Sequence, residues 1–376
     1  MDEQFLKDTL FPIIRSGMGI STESAPASID YNLLVEIASK QGILPIIREG
    51  LTAMHLEGDD VYSVRNKCLR DFYLFAQRDY ALETIKTCFE KNDIEYVLLK
   101  GSVLRDLYPD KWMRTSCDID VLIKEEKLEK AVSALEQETD FRYIKRLYHD
   151  VSLTTSNVHL ELHFSIKENM ENIDKILSKA WDYAVQQQGT HQFLFYPEYQ
   201  IFHVIAHMSY HFVHGGLGVR PYLDLWLLQH KTEFDENVVR EMCEQCGILK
   251  FYEECCNLSE VWFSNKEHTS ITKALEKYSF DGGVFGNRKN ASIAELRNNK
   301  GKKYYIKRIF LKKQSLETIY PKLKEYPALL PYYQVKRWIN AIINKRTKVK
   351  DEIRLIRNIK DEDVDNIQEL FNSVGL

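Results

Sequence analysis

Apolar residues recur at helical spacing through the first part of the chain. The clearest case is an i, i+1, i+4, i+5 stripe between residues 33 and 38. This spacing is typical of a helix with one buried face, and Ser28 or Asp30 is placed to cap its N-terminus. We therefore predict an N-terminal helical region over residues 1–78.

Short apolar runs alternate with helical spacing after that region. A helix leads into an aliphatic strand at Ile94–Leu99, and a second strand covers residues 118–123. A charged helix follows, and then two or three strands within residues 141–164. This alternation predicts a compact α/β module over residues 79–192.

Helical spacing returns at Pro197 and continues to the end of the chain, where residues 351–376 are acidic. We predict a C-terminal helical domain over residues 193–376. The predicted fold class is α+β, with a small mixed sheet in a central domain flanked by helical N- and C-terminal regions.

Composition narrows the class of protein. An apolar share of 44% and an aromatic share of 12% exclude disorder for most of the chain. No run approaches the roughly 18 apolar residues that a membrane span needs, so we predict no transmembrane segment. Seven scattered cysteines and the absence of a signal-like N-terminus favour a reducing, cytoplasmic location.

Charge is distributed unevenly along the chain, whose net charge is only −4. Residues 285–350 hold 18 Lys and Arg residues against three Glu residues, with aromatic residues interleaved. Such a segment favours an anionic partner: a nucleic acid, an anionic membrane or an acidic protein. The alternative is a solvated, lysine-rich helical face.

The strand at residues 118–123 carries a candidate metal site. Residues i and i+2 of a strand share a face, so Asp118 and Asp120 point the same way while Ile119 and Val121 face the core. Two carboxylates at this spacing repel each other unless a cation lies between them. Hard oxygen ligands of this kind suit Mg²⁺, although a solvated Asp-x-Asp strand edge would have the same pattern.

Two further segments can complete this site. The strand at residues 158–164 places His159, Glu161 and His163 on one face, and Glu161 could supply a third carboxylate to a two-metal centre. Gly101 and Ser102 stand where the first strand turns into a helix, a place where backbone can approach a phosphate. The alternative interpretation is a half-exposed strand beside an ordinary turn.

The order of these motifs resembles the nucleotidyltransferase superfamily with the DNA polymerase β-like fold. In particular, it resembles a bacterial branch of uncharacterised nucleotidyltransferases that carry Leu-Lys-Gly, Tyr-Pro, an Arg, Asp-x-Asp and Glu-x-His. The matching positions here are Leu99–Gly101, Tyr108–Pro109, Arg114, Asp118 with Asp120, and Glu161 with His163. The helical flanks also match, including His207, His211 and Asp224.

The resemblance implies a function for each of these residues. Asp118 and Asp120 would hold two Mg²⁺ ions, or Mn²⁺ in their place, on the triphosphate of a nucleoside triphosphate (NTP). Glu161 would bind the metal nearer the acceptor and help to deprotonate its hydroxyl. Gly101 and Ser102 would hold the phosphates, while Lys100 or Arg114 would offset the charge of the leaving pyrophosphate.

A stripe of histidines lies on the predicted helix that follows Pro197. His203, His207, His211 and His214 fall on one helical face. They could pack between helices, or bind Zn²⁺ through an i, i+4 pair with Asp224. The third interpretation is that they line the nucleotide cleft; His163, His207, His211 and Asp224 are the candidate lining residues.

We therefore expect a Mg²⁺-dependent nucleotidyltransferase. Its acceptor is not specified by the sequence and could be a small molecule, a sugar, a protein or an RNA. Two other functions compete with this one: a catalytically inactive nucleotide-binding protein of the same fold, and a metal-dependent hydrolase built on the histidine stripe.

Overall fold

The structure is a computed structural model that describes residues 3–282, 286–298, 309–320, 322–344, 354–355 and 358–376. Parts of the basic segment predicted at residues 285–350, and the beginning of the acidic tail, lie outside these residues. Within the described part of the chain, no helix is both long and apolar enough to cross a membrane.

Helices occupy most of the N-terminal region, as the apolar spacing predicts. Asp30 caps the helix after the first loop, because its carboxylate accepts the Leu33 N–H at 3.0 Å. That helix ends at Gly42, whose φ of 66° lies in the left-handed region. The helices are α1 Glu3–Phe5, α2 Phe11–Gly17, α3 Tyr31–Gln41, α4 Leu44–Ala53 and α5 Asp59–Lys91.

Seven strands among the described residues form one mixed sheet with the spatial order β3-β4-β5-β2-β1-β7-β6. In the centre, β2 pairs antiparallel with β1 and parallel with β5. The predicted α+β fold class is confirmed. The strands are β1 Tyr96–Leu98, β2 Asp118–Ile123, β3 Arg142–Arg146, β4 Asp150–Thr154, β5 His159–His163, β6 Ala184–Gln186 and β7 Gln192–Phe195.

Two strands of the sheet were absent from the predicted module. β6 and β7 are three and four residues long, too short for a period of two to stand out in the sequence. They pair as a hairpin, and β7 joins the sheet through parallel pairing with β1. The boundaries proposed after residues 78 and 192 fall inside α5 and β7, so continuous elements link neighbouring regions.

The two faces of the sheet differ in chemistry. Ile119, Val121 and Ile123 of β2 lie in a core built with the C-terminal half of α5 and with α7. The opposite face carries Asp118 and Asp120. Strand alternation therefore turns the carboxylates away from that core and toward the rest of the molecule. The helices next to the sheet are α6 Gly101–Leu104, α7 Leu128–Glu138 and α8 Glu171–Leu177.

The C-terminal helices cover the polar face of the sheet. They share a second, larger core with the N-terminal helices, and this core reaches Val97, Leu99 and Leu122 of the sheet region. The helices of this core are α9 Pro197–His214, α10 Val219–Lys231, α11 Glu236–Gln245, α12 Leu249–Ser264, α13 Ser270–Gly282, α14 Arg288–Asn298 and, near the C-terminus, α18 Asp361–Ser373. Three further helices, α15 Lys313–Ile319, α16 Lys322–Glu325 and α17 Leu330–Asn344, lie outside it.

Candidate functional site

Parallel pairing of β2 and β5 brings the predicted acidic residues to one place. Asp120 lies directly opposite Glu161 in the register, and Asp118 lies opposite His159. Ligand atoms of Asp120, Glu161 and His163 lie within 4.8 Å of one another, and Asp118 lines the same cavity. The structure therefore gathers the three acids on one face and places His163 among them.

Of the three acids, Asp120 has the closest contacts with basic side chains. One of its carboxylate oxygens, Oδ1, accepts a hydrogen bond from Lys100 Nζ at 2.8 Å and lies 2.9 Å from His163 Nε2. Burial alone would raise the pKa of Asp120, but Lys100 and His163 hold it well below its usual range. Because the carboxylate is ionised, the facing nitrogen of His163 is the protonated one and donates to it.

Asp118 differs from Asp120 in its electrostatics. Burial, and then the negative charge of Asp120, raise the pKa of Asp118. The pKa values of these two neighbouring carboxyl groups thus shift in opposite directions. Asp120 is ionised, and Asp118 gives up its proton less readily than a free aspartic acid. An added cation would relieve this repulsion and favour the ionised form of both.

Lys100 reaches Asp120 from a strained turn. Its φ of 47° and ψ of −120° are those of the second residue of a type II′ turn, a position that favours glycine. Ser102 N–H donates to the Leu99 carbonyl at 3.1 Å and closes the turn. A non-glycine residue there costs about 1–3 kcal/mol, so the ammonium group is held beside Asp120 at the expense of backbone strain.

Lys100→Gly and Lys100→Ala should differ in stability, although both remove the ammonium group. Glycine relieves the positive φ and alanine keeps it. We expect the glycine variant to be more stable in urea unfolding by about 1 kcal/mol, since the relieved strain exceeds the added flexibility of its unfolded chain. Equal stabilities would show that the turn is not strained at this residue.

Gly101 allows the chain near Arg114 to approach the turn. A Cβ atom at Gly101 would lie 3.0 Å from Arg114 Nη1 and 3.1 Å from Ser116 Cβ, closer than a rigid neighbourhood tolerates. Gly101 lines the main cavity, and Ser102 lines a cavity of about 20 Å³ behind it, beside Arg78. The absence of a side chain at Gly101 therefore leaves room for Arg114 and Ser116 beside the turn.

A buried ion pair joins the sheet domain to α10. Arg114 donates to both oxygens of Asp224, from Nε at 3.1 Å and from Nη2 at 2.7 Å. The remaining amino group, Nη1, donates to the Thr115 carbonyl, and the Tyr108 hydroxyl donates to Asp224 at 2.8 Å. Residues more than a hundred positions apart are thus locked together by a two-point, charge-assisted contact.

The histidines of α9 form the wall opposite the acids. His203, His207 and His211 line the cavity, which agrees with one of the three interpretations of the stripe. His214 is exposed and contacts the Tyr210 carbonyl at 2.7 Å. Within the described part of the chain, the Asp120/Glu161/His163 group is the one set of three potential metal ligands, and α9 contributes none to it.

A carboxylate and two imidazoles form a chain along this wall. His207 Nδ1 lies 2.7 Å from Glu168 Oε1, and His207 Nε2 lies 3.0 Å from His211 Nε2. Two facing ring nitrogens must share one proton, which requires at least one neutral ring. Burial lowers the pKa of both histidines to about 3, so both rings are neutral at pH 7.

The stability of the protein should therefore fall in mild acid. The unfolded histidines titrate near 6.5, and burial lowers the pKa of His203, His207 and His211 to about 3 in the folded state. The unfolded state then binds more protons below pH 6.5, and each histidine costs up to about 1.4 kcal/mol per pH unit as the pH falls toward 3. Urea unfolding at several pH values measures this slope.

The matched comparison for this pH dependence is His207→Gln against His214→Gln, on the same helix. We expect the first substitution to reduce the slope of stability against pH and the second, at an exposed position, to leave it unchanged. An unchanged slope in His207→Gln would contradict the assignment of neutral, buried imidazoles to this wall.

A cavity of about 340 Å³ lies between the polar face of the sheet and helices α9 and α10. This volume is in the range of small-ligand sites, and all predicted site residues except Ser102 line it. Sequence reasoning missed His149, Lys167, Glu168 and Arg220, which line it as well. Arg220 stands one helical turn before Asp224 and could have been found; the others come from loops without a motif.

The family of the chain follows from a comparison with known proteins. A family model described as uncharacterised nucleotidyltransferase matches residues 27–264. The chain belongs to this nucleotidyltransferase family. The matched region contains the whole sheet and helices α3 to α12, so the acids, the Lys100 turn and the histidine wall all lie within it. A search of curated proteins found no match.

The donor atoms of the site fit a divalent cation. Asp118, Asp120 and Glu161 offer carboxylate oxygens, which Mg²⁺ prefers, and the imidazole of His163 also suits Mn²⁺. The ammonium of Lys100 already lies 2.8 Å from Asp120, so this position stabilises positive charge. The resemblance to nucleotidyltransferases inferred from the motifs is confirmed by the family match.

Proposed function

We propose that this protein transfers a nucleoside monophosphate from an NTP to a hydroxyl group of an acceptor, in a reaction that depends on Mg²⁺ or Mn²⁺. The observation that carries the proposal is the convergence of Asp118, Asp120 and Glu161 on one wall of a cavity, in a chain of the nucleotidyltransferase family. We propose the cytoplasm as its location, where NTPs are present and cysteines stay reduced.

Asp118, Asp120 and Glu161 would hold the metal, as one ion or as two. When bound, the metal supplies charge neutralisation for the triphosphate and for the transition state. His163 donates to Asp120 and orients it. Glu161 has a side chain that is 26% exposed, so an acceptor hydroxyl can reach it and pass its proton there.

Lys100, Gly101, Ser102 and Arg114 are the proposed phosphate-side residues, with different tasks. Lys100 supplies the positive charge for the leaving pyrophosphate, because its side chain lines the cavity and is partly exposed. Arg114 donates to Asp224 and Thr115, so we assign it to hold Gly101 and the cavity wall in place. Ser102 closes the turn that presents Lys100.

The proposed transfer balances in bonds and protons. The acceptor oxygen forms a bond to the α-phosphorus of the NTP, the bond from that phosphorus to the pyrophosphate oxygen breaks, and the acceptor proton passes to Glu161. The products are the nucleotidylated acceptor and pyrophosphate. The acceptor stays unassigned, as a small molecule, a sugar, a protein or an RNA.

Two measurements test this function. Calorimetry of NTP binding with and without Mg²⁺ or Mn²⁺ should show metal-dependent binding. Incubation with α-labelled NTPs and a cell extract should transfer label to one component. NTP binding that does not depend on metal, without transfer, would favour the inactive nucleotide-binding alternative. The hydrolase alternative requires a metal held by α9, and metal analysis of His207→Ala tests it.

A further inference from the structure

Helices α15, α16 and α17 form a small unit with a core of its own. Leu316, Leu323 and Tyr333 are buried against one another, apart from the two larger cores. We call residues 309–320 together with 322–344 the basic helical unit. The nucleotidyl-transfer site uses no residue of this unit, so its surface calls for a separate explanation.

The outer face of α17 is an exposed apolar stripe. Tyr332, Val335, Ile339 and Ile343 follow one another at i, i+3, i+7 and i+11, and 57%, 47%, 52% and 69% of their surfaces are exposed. Phe310, which precedes α15 and is itself 55% exposed, packs edge-on against Trp338 of α17. A continuous exposed apolar surface of this kind marks a site of interaction.

The unit that carries the stripe is also basic. The exposed lysines of the unit outnumber its acidic residues, Glu317 and Glu325, and the longer sequence segment 285–350 has 18 basic residues against three acidic ones. The partner must therefore offer both negative charge and an apolar interior. The exposed lysines are Lys312, Lys313, Lys322, Lys324 and Lys336.

The aliphatic character of the stripe favours a bilayer over a nucleic acid as the anionic partner. Nucleic acids are bound by basic side chains together with aromatic rings that stack on bases, and Val335, Ile339 and Ile343 cannot stack. An anionic bilayer takes aliphatic side chains into its acyl region and lysines at its headgroups, with tyrosine at the boundary. The exposed stripe and the exposed lysines of the same unit match this combination.

We propose that the basic helical unit docks on the surface of an anionic lipid bilayer, with α17 lying in the plane of the interface. Tyr332, Val335, Ile339 and Ile343 enter the boundary between headgroups and acyl chains, and the exposed lysines of the unit contact anionic headgroups. This contact goes beyond the proposed transfer reaction and would place the enzyme at a membrane surface.

Co-sedimentation of the full chain with lipid vesicles tests the proposal. We expect binding to phosphatidylcholine vesicles that contain phosphatidylserine, weaker binding as salt is raised, and little binding to phosphatidylcholine alone. Ile339→Asp/Ile343→Asp should lower the partition onto anionic vesicles by at least about tenfold, because each isoleucine contributes apolar burial. Leu69→Asp, which changes a leucine 65% exposed on α5, should bind like the wild type.

Several outcomes would overturn the proposal. The first is no binding to anionic vesicles, and the second is equal binding to both vesicle types. The third is unchanged binding by Ile339→Asp/Ile343→Asp when its circular dichroism spectrum matches that of the wild type. Binding of an RNA homopolymer in place of vesicles would make nucleic acid the partner. Asp120→Asn should bind vesicles normally, so failure of the transfer reaction and failure of membrane docking can be told apart.

Discussion

Asp120→Asn should lower nucleotidyl transfer by about a thousandfold or more and weaken metal binding, while the protein stays folded. We call Asp118, Asp120 and Glu161 the acidic group. A carboxylate oxygen of Asp120 lies within 4.8 Å of the ligand atoms of Glu161 and His163. Asparagine keeps the shape of the side chain and an acceptor for Lys100, but it removes the negative charge that a divalent cation requires. The loss should therefore appear in chemistry rather than in folding.

The test compares Asp120→Asn with Asp150→Asn. Asp150 is a buried carboxylate on β4, directly opposite His163 in the register, but it does not line the cavity. Transfer of label from an α-labelled NTP measures activity, and the electron paramagnetic resonance of bound Mn²⁺ measures the metal independently. We expect Asp150→Asn to keep both. A variant at Asp120 that kept transfer would refute the proposed role of the acidic group.

The acidic group illustrates what local sequence can predict. Alternation along a strand is a property of the backbone, so Asp118 and Asp120 could be assigned to one face and Ile119 and Val121 to the other without knowledge of the fold. The parallel pairing that puts Glu161 beside Asp120 is a long-range contact. Strand alternation offered Glu161 as a third carboxylate, and the motif order supported it, but neither predicted this pairing.

Other parts of the site depend on contacts that no local pattern encodes. The histidine stripe was visible at helical spacing, but only packing decides that His207 and His211 line the cavity while His214 is exposed. Glu168 lies in a loop, and its distance to His207 is set by the meeting of two regions 39 residues apart. The short strands β6 and β7 were missed because they have no strong pattern of their own: β7 is stabilised by pairing with β1, and β6 by pairing with β7.

The largest expected loss of stability comes from Asp224→Asn. Arg114 is 9% exposed and its guanidinium donates to both carboxylate oxygens of Asp224. Removing the negative charge leaves a buried guanidinium uncompensated, which typically costs about 3–5 kcal/mol. The free energy of unfolding in urea measures this cost. The matched exposed pair is Lys111 with Asp106 at 2.7 Å, where Asp106→Asn should cost about 1 kcal/mol or less.

A double variant separates the stability of this pair from its role in the site. Arg114→Met/Asp224→Leu removes both charges and keeps apolar volume, so it should recover much of the stability lost in Asp224→Asn. Transfer activity should stay low, because the proposed task of Arg114, whose Nη1 lies 3.0 Å from the point where a Cβ of Gly101 would be, is to hold that turn in place. Recovery of activity together with stability would mean that the pair only holds the domains together. Recovery of stability alone would identify Arg114 as a positioning residue for the Lys100 turn.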